Sequence, residues 1–243
     1  MPKLIHLWSS PRNVSTALLY SFARHPDLAV VDEPLYAHYL LRQPTDADHP
    51  GREAIIASQN GDGNAVLREL AEHPTDRPYL VCKQMTHHLV DIDHSPLKGA
   101  KNFLLLRDPR EILQSFSRVV DNVELADLGL PQQQPLYDYL RKYDALTGII
   151  DAKRLLLDPA ATLNEVCRRC GLAFDEGMLS WPAGPIPEDG VWAEYWYTNV
   201  HKSTGFAPYK AREITVTPEQ FGIDPAEFQA AIDWYEARAA EAI

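Results

Sequence analysis

Leu7-Trp8-Ser9-Ser10-Pro11-Arg12-Asn13-Val14-Ser15-Thr16-Ala17 sits between two stretches of different periodicity. Before it, the apolar run of Leu4, Ile5 and Leu7 predicts a short buried strand. After it, Leu18-Leu19-Tyr20-Ser21-Phe22-Ala23 is spaced as a helix. The segment is therefore a strand-to-helix turn that carries an arginine and several hydroxyls. A helix N-terminus offers unpaired backbone N–H groups and the positive end of the helix dipole. Arg12, Ser15 and Thr16 add to these, and together they make a phosphate cradle. The turn lacks the glycines and the Gly-Lys-Ser/Thr ending that grip a γ-phosphate with magnesium. A nucleotide phosphate held in another way is the expectation.

Working outward, short β-like runs alternate with helical patterns. Strands are predicted at Lys3–Trp8, Leu28–Val31, Tyr79–Lys83, Asn102–Leu106 and Gly148–Ile150. Helices are predicted at Ser15–Arg24, Ala65–Glu72, Pro109–Val120, Leu136–Leu146, Thr162–Arg169 and Pro225–Glu241. Continuous apolar strands such as Phe103-Leu104-Leu105-Leu106 mark a sheet buried on both faces. The expected class is α/β: a three-layer αβα arrangement around a central parallel sheet of about five strands. Such sheets bind ligands at the carboxyl ends of their strands. Polar residues follow nearly every strand: Ser9 to Arg12, Asp32 and Glu33, Lys83 with His87 and His88, and Arg107 with Asp108. Pro44–Asp62 reads as an exposed excursion and Trp181–Tyr209 as a structured loop.

The 243 residues are enough for one substantial α/β domain, and residues 1–243 are read as one. No apolar run is long enough to span a membrane. The start, Met1 to His6, flows into the first strand without a secretory signal, so a cytoplasmic location is expected. A formal net charge of −11 argues against general nucleic-acid binding, so an anionic ligand needs a local basic cluster. Three cysteines fit a reducing compartment. Cys167 and Cys170 have CxxC spacing but no second ligand pair, and are placed on a helix's buried face. No metal site is expected. His25, His49 and His73 stand beside turn signals and are expected at the surface, and Glu227, Asp233, Glu236 and Glu241 on a solvated helix face.

Arg107-Asp108-Pro109-Arg110-Glu111-Ile112-Leu113-Gln114-Ser115-Phe116 is the second informative segment. Pro109 suits a first helical turn. Ser115 follows Arg107 by eight residues, about two helical turns on. A guanidinium before the helix and a hydroxyl on it are placed to grip one anion from two sides, and Arg binds phosphate oxygens bidentately. Local salt bridges around the helix cap are the alternative.

Taken together, these segments resemble the sulfotransferase family. Ser10-Pro11-Arg12-Asn13-Val14-Ser15-Thr16 is similar to its 5′-phosphosulfate loop. Arg107 to Ser115 is similar to its 3′-phosphate site, with the same spacing. Lys202-Ser203-Thr204-Gly205 resembles the late loop that wraps the 3′-phosphate, and Leu157 to Leu172 resembles a further strand–helix segment. The nearest resemblance is to bacterial-type members and to those carrying a branched-chain aminotransferase-like name. That name implies pyridoxal phosphate chemistry, for which the chain shows no pattern. The resemblance implies a P-loop NTPase-like fold. It also implies transfer of a sulfuryl group from 3′-phosphoadenosine 5′-phosphosulfate to a hydroxyl or amine of a small-molecule acceptor, without a metal. A P-loop kinase-like phosphotransferase and a non-catalytic nucleotide-binding relative are the alternatives. The missing Gly-Lys-Ser/Thr argues against the first. A homodimer is compatible with the sequence, which fixes neither oligomeric state nor acceptor.

Arg12 stands where the family has a lysine. Arginine stays charged at ordinary pH, so its implied role is electrostatic stabilisation of a phosphate that leaves as an anion. Glu33 resembles the base of some bacterial members, with substrate orientation or a salt bridge as alternatives, and Pro34 predicts an extended backbone there. His87 and His88 are the other candidate bases, displaced two residues from the family's Lys-x-His; capping or a solvated loop is the alternative. Lys83 is placed to stabilise sulfuryl oxygens, or to pair with Asp91 or Glu33. Trp192, Tyr195, Trp196 and Tyr197 either wall an acceptor pocket, stack on adenine or pack the loop onto the sheet.

Overall fold

A computed structural model describes residues 1–42, 49–118, 123–211 and 213–243. Among these, five parallel strands form one sheet in the order β2-β3-β1-β4-β5. They are β1 (Lys3–Ser9), β2 (Leu28–Asp32), β3 (Tyr79–Met85), β4 (Lys101–Leu106) and β5 (Leu146–Asp151). Side-chain alternation splits each strand between two cores. Ile5, Leu7, Val81, Phe103, Leu105 and Ile150 point to one face. There they meet α1 (Ser15–Phe22). Trp8, Leu80, Cys82, Leu104 and Leu106 point to the other. The helices are completed by α2 (Tyr36–Arg42), α3 (Arg52–Ser58), α4 (Gly63–Ala71), α5 (Pro109–Phe116) and α6 (Gln133–Lys142). The rest are α7 (Ala152–Leu157), α8 (Pro159–Cys170), α9 (Ala193–Trp196), α10 (Thr198–His201) and α11 (Pro225–Ala239). α7 and α8 share the α1 face, whereas α4 and α6 cover the opposite one. Each large apolar side chain buried in this way contributes about 1.5–3 kcal/mol.

All five predicted strands are present, each within two residues of its expected bounds. The helix ends differ for local reasons. α6 starts at Gln133, since Pro135 fits a first turn, and Leu146 opens β5 instead of closing the helix. The end of the predicted Pro109–Val120 helix lies outside the described residues. The described part of Pro44–Asp62 is not a plain excursion: it holds α3, anchored by fully buried Ile55. Cys167 and Cys170 do lie on the buried face of α8, with Cys167 Sγ 3.8 Å from Met178 Sδ. His25 is buried rather than at the surface; its ring contacts the Ala173 carbonyl at 2.9 Å and accepts from the Asp27 amide at 3.1 Å. His49 and His73 are half-buried.

Parallel register brings the strand ends level. Ser9 of β1 pairs with Met85 of β3 and with Leu105 of β4, and Asp32 of β2 pairs with Lys83. The turns that follow β1, β2, β3 and β4 therefore share the carboxyl edge of the sheet.

Candidate active site

The turn after β1 leaves the N-terminus of α1 without a side-chain cap. Val14 caps the helix without a side-chain bond, and the first turn holds no acidic residue. Ser15 and Thr16 are its first two residues. The turn itself is fixed from below. Asn13 donates to the Leu105 carbonyl at 3.1 Å and accepts from the Val14 amide at 2.9 Å. Ser10 is buried, and its hydroxyl accepts from Asn13 at 3.4 Å. Pro11 meets Gly129, whose φ is +67° and where a Cβ would stand 3.0 Å from Pro11 Cδ. Only glycine allows that segment to lie so close over the turn.

The two arginine motifs meet. Arg12 Nε donates to Ser115 Oγ at 3.3 Å, and Arg107 donates to the Arg12 carbonyl at 2.5 Å. Arg12, Arg107 and Ser115, predicted from turns about a hundred residues apart, thus form one cluster at the open end of α1. Burial and the neighbouring Arg107 charge both lower the pKa of Arg12. Two guanidinium groups held this close disfavour each other's charge. The capping alternative also holds in part: Asp108 caps α5 through the Arg110 amide at 2.9 Å and pairs with the Arg110 side chain. Arg107 Nε pairs with Glu111 at 3.0 Å, and Tyr209 Oη donates to the same carboxylate at 2.8 Å.

The late loop is only partly gathered in. Ser203 accepts from Trp181 Nε1 at 3.1 Å, Gly205 bridges to Ser180, and Lys202 and Thr204 are exposed. Among the described residues no hydrogen bond joins Lys202–Gly205 to Arg12, Arg107 or Ser115. The link comes slightly later, where Tyr209 reaches Glu111 and Thr215 reaches Gln114.

A second cluster lies at the end of β2. Lys83 is fully buried, inside β3 rather than after it. Its ammonium donates to Glu33 Oε1 at 2.6 Å, Asp32 Oδ1 at 2.9 Å and Tyr197 Oη at 2.7 Å. The expected pairing with Glu33 is present; that with Asp91 is not. Tyr197 Oη also donates to Asp32 Oδ2 at 2.6 Å and accepts from Trp192 Nε1 at 3.1 Å. One lysine faces two carboxylates, so charge is not balanced. Burial raises the pKa of Glu33, with the Asp32 charge adding to it and Lys83 opposing. The two carboxylates hold Lys83 above its ordinary value against its own desolvation. Among the described residues, the side-chain hydrogen bonds to the Glu33 carboxylate fall on Oε1.

The Glu33 backbone is not extended. Its φ is +36°, in the left-handed region. The turn is imposed by its amide, which donates to the Lys83 carbonyl at 3.0 Å, and by Gln59, which donates to the Glu33 carbonyl at 3.0 Å. These bonds override the preference set by Pro34. Arg12, at φ +56°, is also left-handed. Non-glycine residues held there cost about 1–3 kcal/mol and cluster at functional sites.

His87 and His88 sit in a short helix, Thr86–His88, not in a solvated loop; Thr86 and His88 are buried and His87 is half-buried. The His88 ring stacks on Tyr36 and on Tyr39, each at 4.8 Å. Burial pushes His87 down to about 3 and His88 well below the ordinary histidine range. Of the late aromatics, Trp192 and Tyr197 are packed, Trp196 is half-buried, and Tyr195 is exposed. Asp32 is marked by the sequence only as a polar residue at a strand's carboxyl end; Gln59 and the role of the Tyr197 hydroxyl carry no such signal.

A profile of the Sulfotransferase domain matches residues 3–242. The chain belongs to the sulfotransferase family. Its five-stranded parallel sheet agrees with solved sulfotransferase folds. The sulfotransferase domain from the Synechococcus PCC 7002 olefin synthase superposes with a TM-score of 0.61 at 19% identity, covering 100% of this chain and 96% of that one. Mouse sulfotransferase SULT7A1, solved in complex with PAP, gives 0.54 at 13% identity over 99% and 90%. In sequence, the chain is 39% identical over 206 residues to the Arabidopsis thaliana branched-chain-amino-acid aminotransferase-like protein 2. That match takes in 84% of this chain but 36% of the relative, so the chain spans about a third of that protein. No described helix is long and apolar enough to cross a membrane. Among the described residues no group of three or more His, Cys, Asp or Glu is placed to hold a metal.

Proposed function

We propose that this sulfotransferase moves a sulfuryl group from 3′-phosphoadenosine 5′-phosphosulfate to a hydroxyl or amine of a small molecule. The observation that carries this reading is the meeting of Arg12, Arg107 and Ser115 at the uncapped start of α1. Two cationic arms from separate strand-to-helix turns that meet each other suit a ligand with phosphates on the 3′ and 5′ positions of one ribose, and a structural neighbour is solved with PAP. In this reading Ser10 to Thr16 cradle the 5′-phosphosulfate through backbone N–H groups and hydroxyls. Arg107 and Ser115 take the 3′-phosphate, with Lys202–Gly205 folding over it. Arg12 offsets charge as the sulfur–oxygen bond to the leaving phosphate breaks, and the bisphosphate departs as an anion.

Glu33 is the better base. A base works best with a pKa near the operating pH. Burial lifts Glu33 toward that range and drives His87 away from it, to about 3. Glu33 Oε2 takes the acceptor's proton as the new oxygen–sulfur bond forms. His87 and His88 then line the acceptor side as neutral rings. β1 and β2 are separated by β3, so the strands that lead into Arg12 and Glu33 run about 10 Å apart. Residues 1–243 act as one domain in this reading. The three unpaired, buried cysteines suit the cytoplasm.

The test is thermal. At a hundredfold excess over its dissociation constant, 3′,5′-adenosine bisphosphate stabilises by about 2.7 kcal/mol. For a chain of this size that raises Tm by about 5–11 °C. No rise with the bisphosphate, together with a clear rise for ATP and magnesium, would sink the reading.

A further inference from the structure

Among the described residues, the Tyr197 hydroxyl is the group from outside the sheet that touches every member of the buried charge cluster. It accepts from Lys83 at 2.7 Å, donates to Asp32 at 2.6 Å, and lies 3.4 Å from Glu33 Oε1. Its own orientation is set by the Trp192 indole, which donates to it at 3.1 Å. Lys83 has three N–H groups, and each has one partner: Asp32, Glu33 and Tyr197. The ammonium therefore cannot slide toward either carboxylate without abandoning the tyrosine.

We propose that Tyr197 is a positioning residue, holding Lys83 on Glu33 Oε1 so that Oε2 is the atom left to accept a proton. This rests on Glu33 being the base. Without the hydroxyl, one Lys83 N–H and one Asp32 oxygen lose their partners in a buried space. The freed N–H turns to the nearer unsatisfied acceptor, Asp32 Oδ2, and the hold on Glu33 weakens. Tyr197 is also tied to the donor side: its carbonyl accepts from the His201 amide at 2.9 Å, and Lys202–Gly205 begins at the next residue. A base fixed by the segment that leads into the donor loop is aligned with the donor by covalent connection.

The Tyr197→Phe variant tests this, since it keeps the ring and its packing. The titratable groups that act on Glu33 are Asp32 of β2, Lys83 of β3, Tyr197 itself and, from α2, Tyr36. Protein labelled with 13C at glutamate side-chain carboxyls is titrated by NMR, with the Glu33 signal assigned by its loss in Glu33→Gln. The expected result is an upward shift of the Glu33 midpoint in Tyr197→Phe. Trp192→Phe, which removes the indole N–H to the tyrosine oxygen together with part of the ring, shifts it the same way by less, and serves if Tyr197→Phe does not fold. A midpoint that is unchanged or lower overturns the proposal. The titration needs neither acceptor nor turnover, so its failure is distinct from failure of bisphosphate binding, which would remove the transferase reading instead. Bisphosphate affinity of Tyr197→Phe stays at the wild-type value, because the hydroxyl touches none of Arg12, Arg107 or Ser115.

Discussion

Replacing Lys83 with methionine keeps the unbranched side chain out to Cε and deletes the ammonium. Lys83 is fully buried and lies 2.6 Å from Glu33 and 2.9 Å from Asp32. Removing one partner of a buried ion pair costs about 3–5 kcal/mol, because the other charge stays buried and uncompensated. At about 2–4 °C per kcal/mol for a chain of this size, Tm falls by about 6–20 °C. The pH dependence carries the mechanism. Lys83 holds the Glu33 pKa down against burial. Without it the folded-state pKa rises further above the unfolded value. A group with a raised folded pKa gives its full stability below the unfolded pKa and loses it as pH rises through the folded one. The gap between variant and wild type in urea unfolding is therefore wide at pH 8 and narrows toward pH 5. Neutralising all three groups, as Asp32→Asn/Glu33→Gln/Lys83→Met, recovers most of the loss at pH 8. A penalty below about 1 kcal/mol, or one equal at pH 5 and 8, refutes this account of the cluster.

Arg107→Ala weakens binding of the bisphosphate relative to AMP by about 10–100-fold, the worth of one charge-assisted contact; equal losses for both ligands count against a 3′-phosphate contact. Glu33→Gln lowers turnover by about 10²–10⁴ with bisphosphate affinity kept, and an unchanged rate removes Glu33 as base. Since burial raises the Glu33 pKa, wild-type turnover is lost as pH falls through a point above the ordinary carboxylate range; an acid limb at or below that range contradicts the assignment. Gly129→Ala forces a Cβ to within 3.0 Å of Pro11 at φ +67° and lowers stability by about 1–3 kcal/mol together with bisphosphate affinity, as calorimetry would report; an unperturbed Tm and affinity speak against the close approach.

The sheet was legible because each strand is an apolar run buried on both faces, a pattern that needs no partner to be recognised. α2 and α3 were not, since helices of seven residues owe their existence to tertiary burial, such as that of Ile55, rather than to propensity. The phosphate side of the site was legible for a similar reason: Arg12 and the Arg107–Ser115 pair lie in local motifs. The second cluster was legible only in part: Glu33 and its pairing with Lys83 were expected, but not the other partners. Asp32 and Tyr197 are 165 residues apart and meet only through the fold. The Glu33 backbone went against its local rule because Gln59 and the Lys83 carbonyl, both distant in sequence, set the turn.

Four described non-glycine residues have positive φ: Arg12, Glu33, Asp91 and Asp144. Aspartate tolerates that region; arginine and glutamate do so less readily. Glycine at positions 12 and 33 would relieve strain of about 1 kcal/mol or more at each. Selection for heat resistance alone would therefore begin by erasing the cation of one cluster and the carboxylate of the other. A chain that keeps both residues carries a lower ceiling on its thermal tolerance, and heat-stable descendants would have to gain their stability elsewhere in the fold.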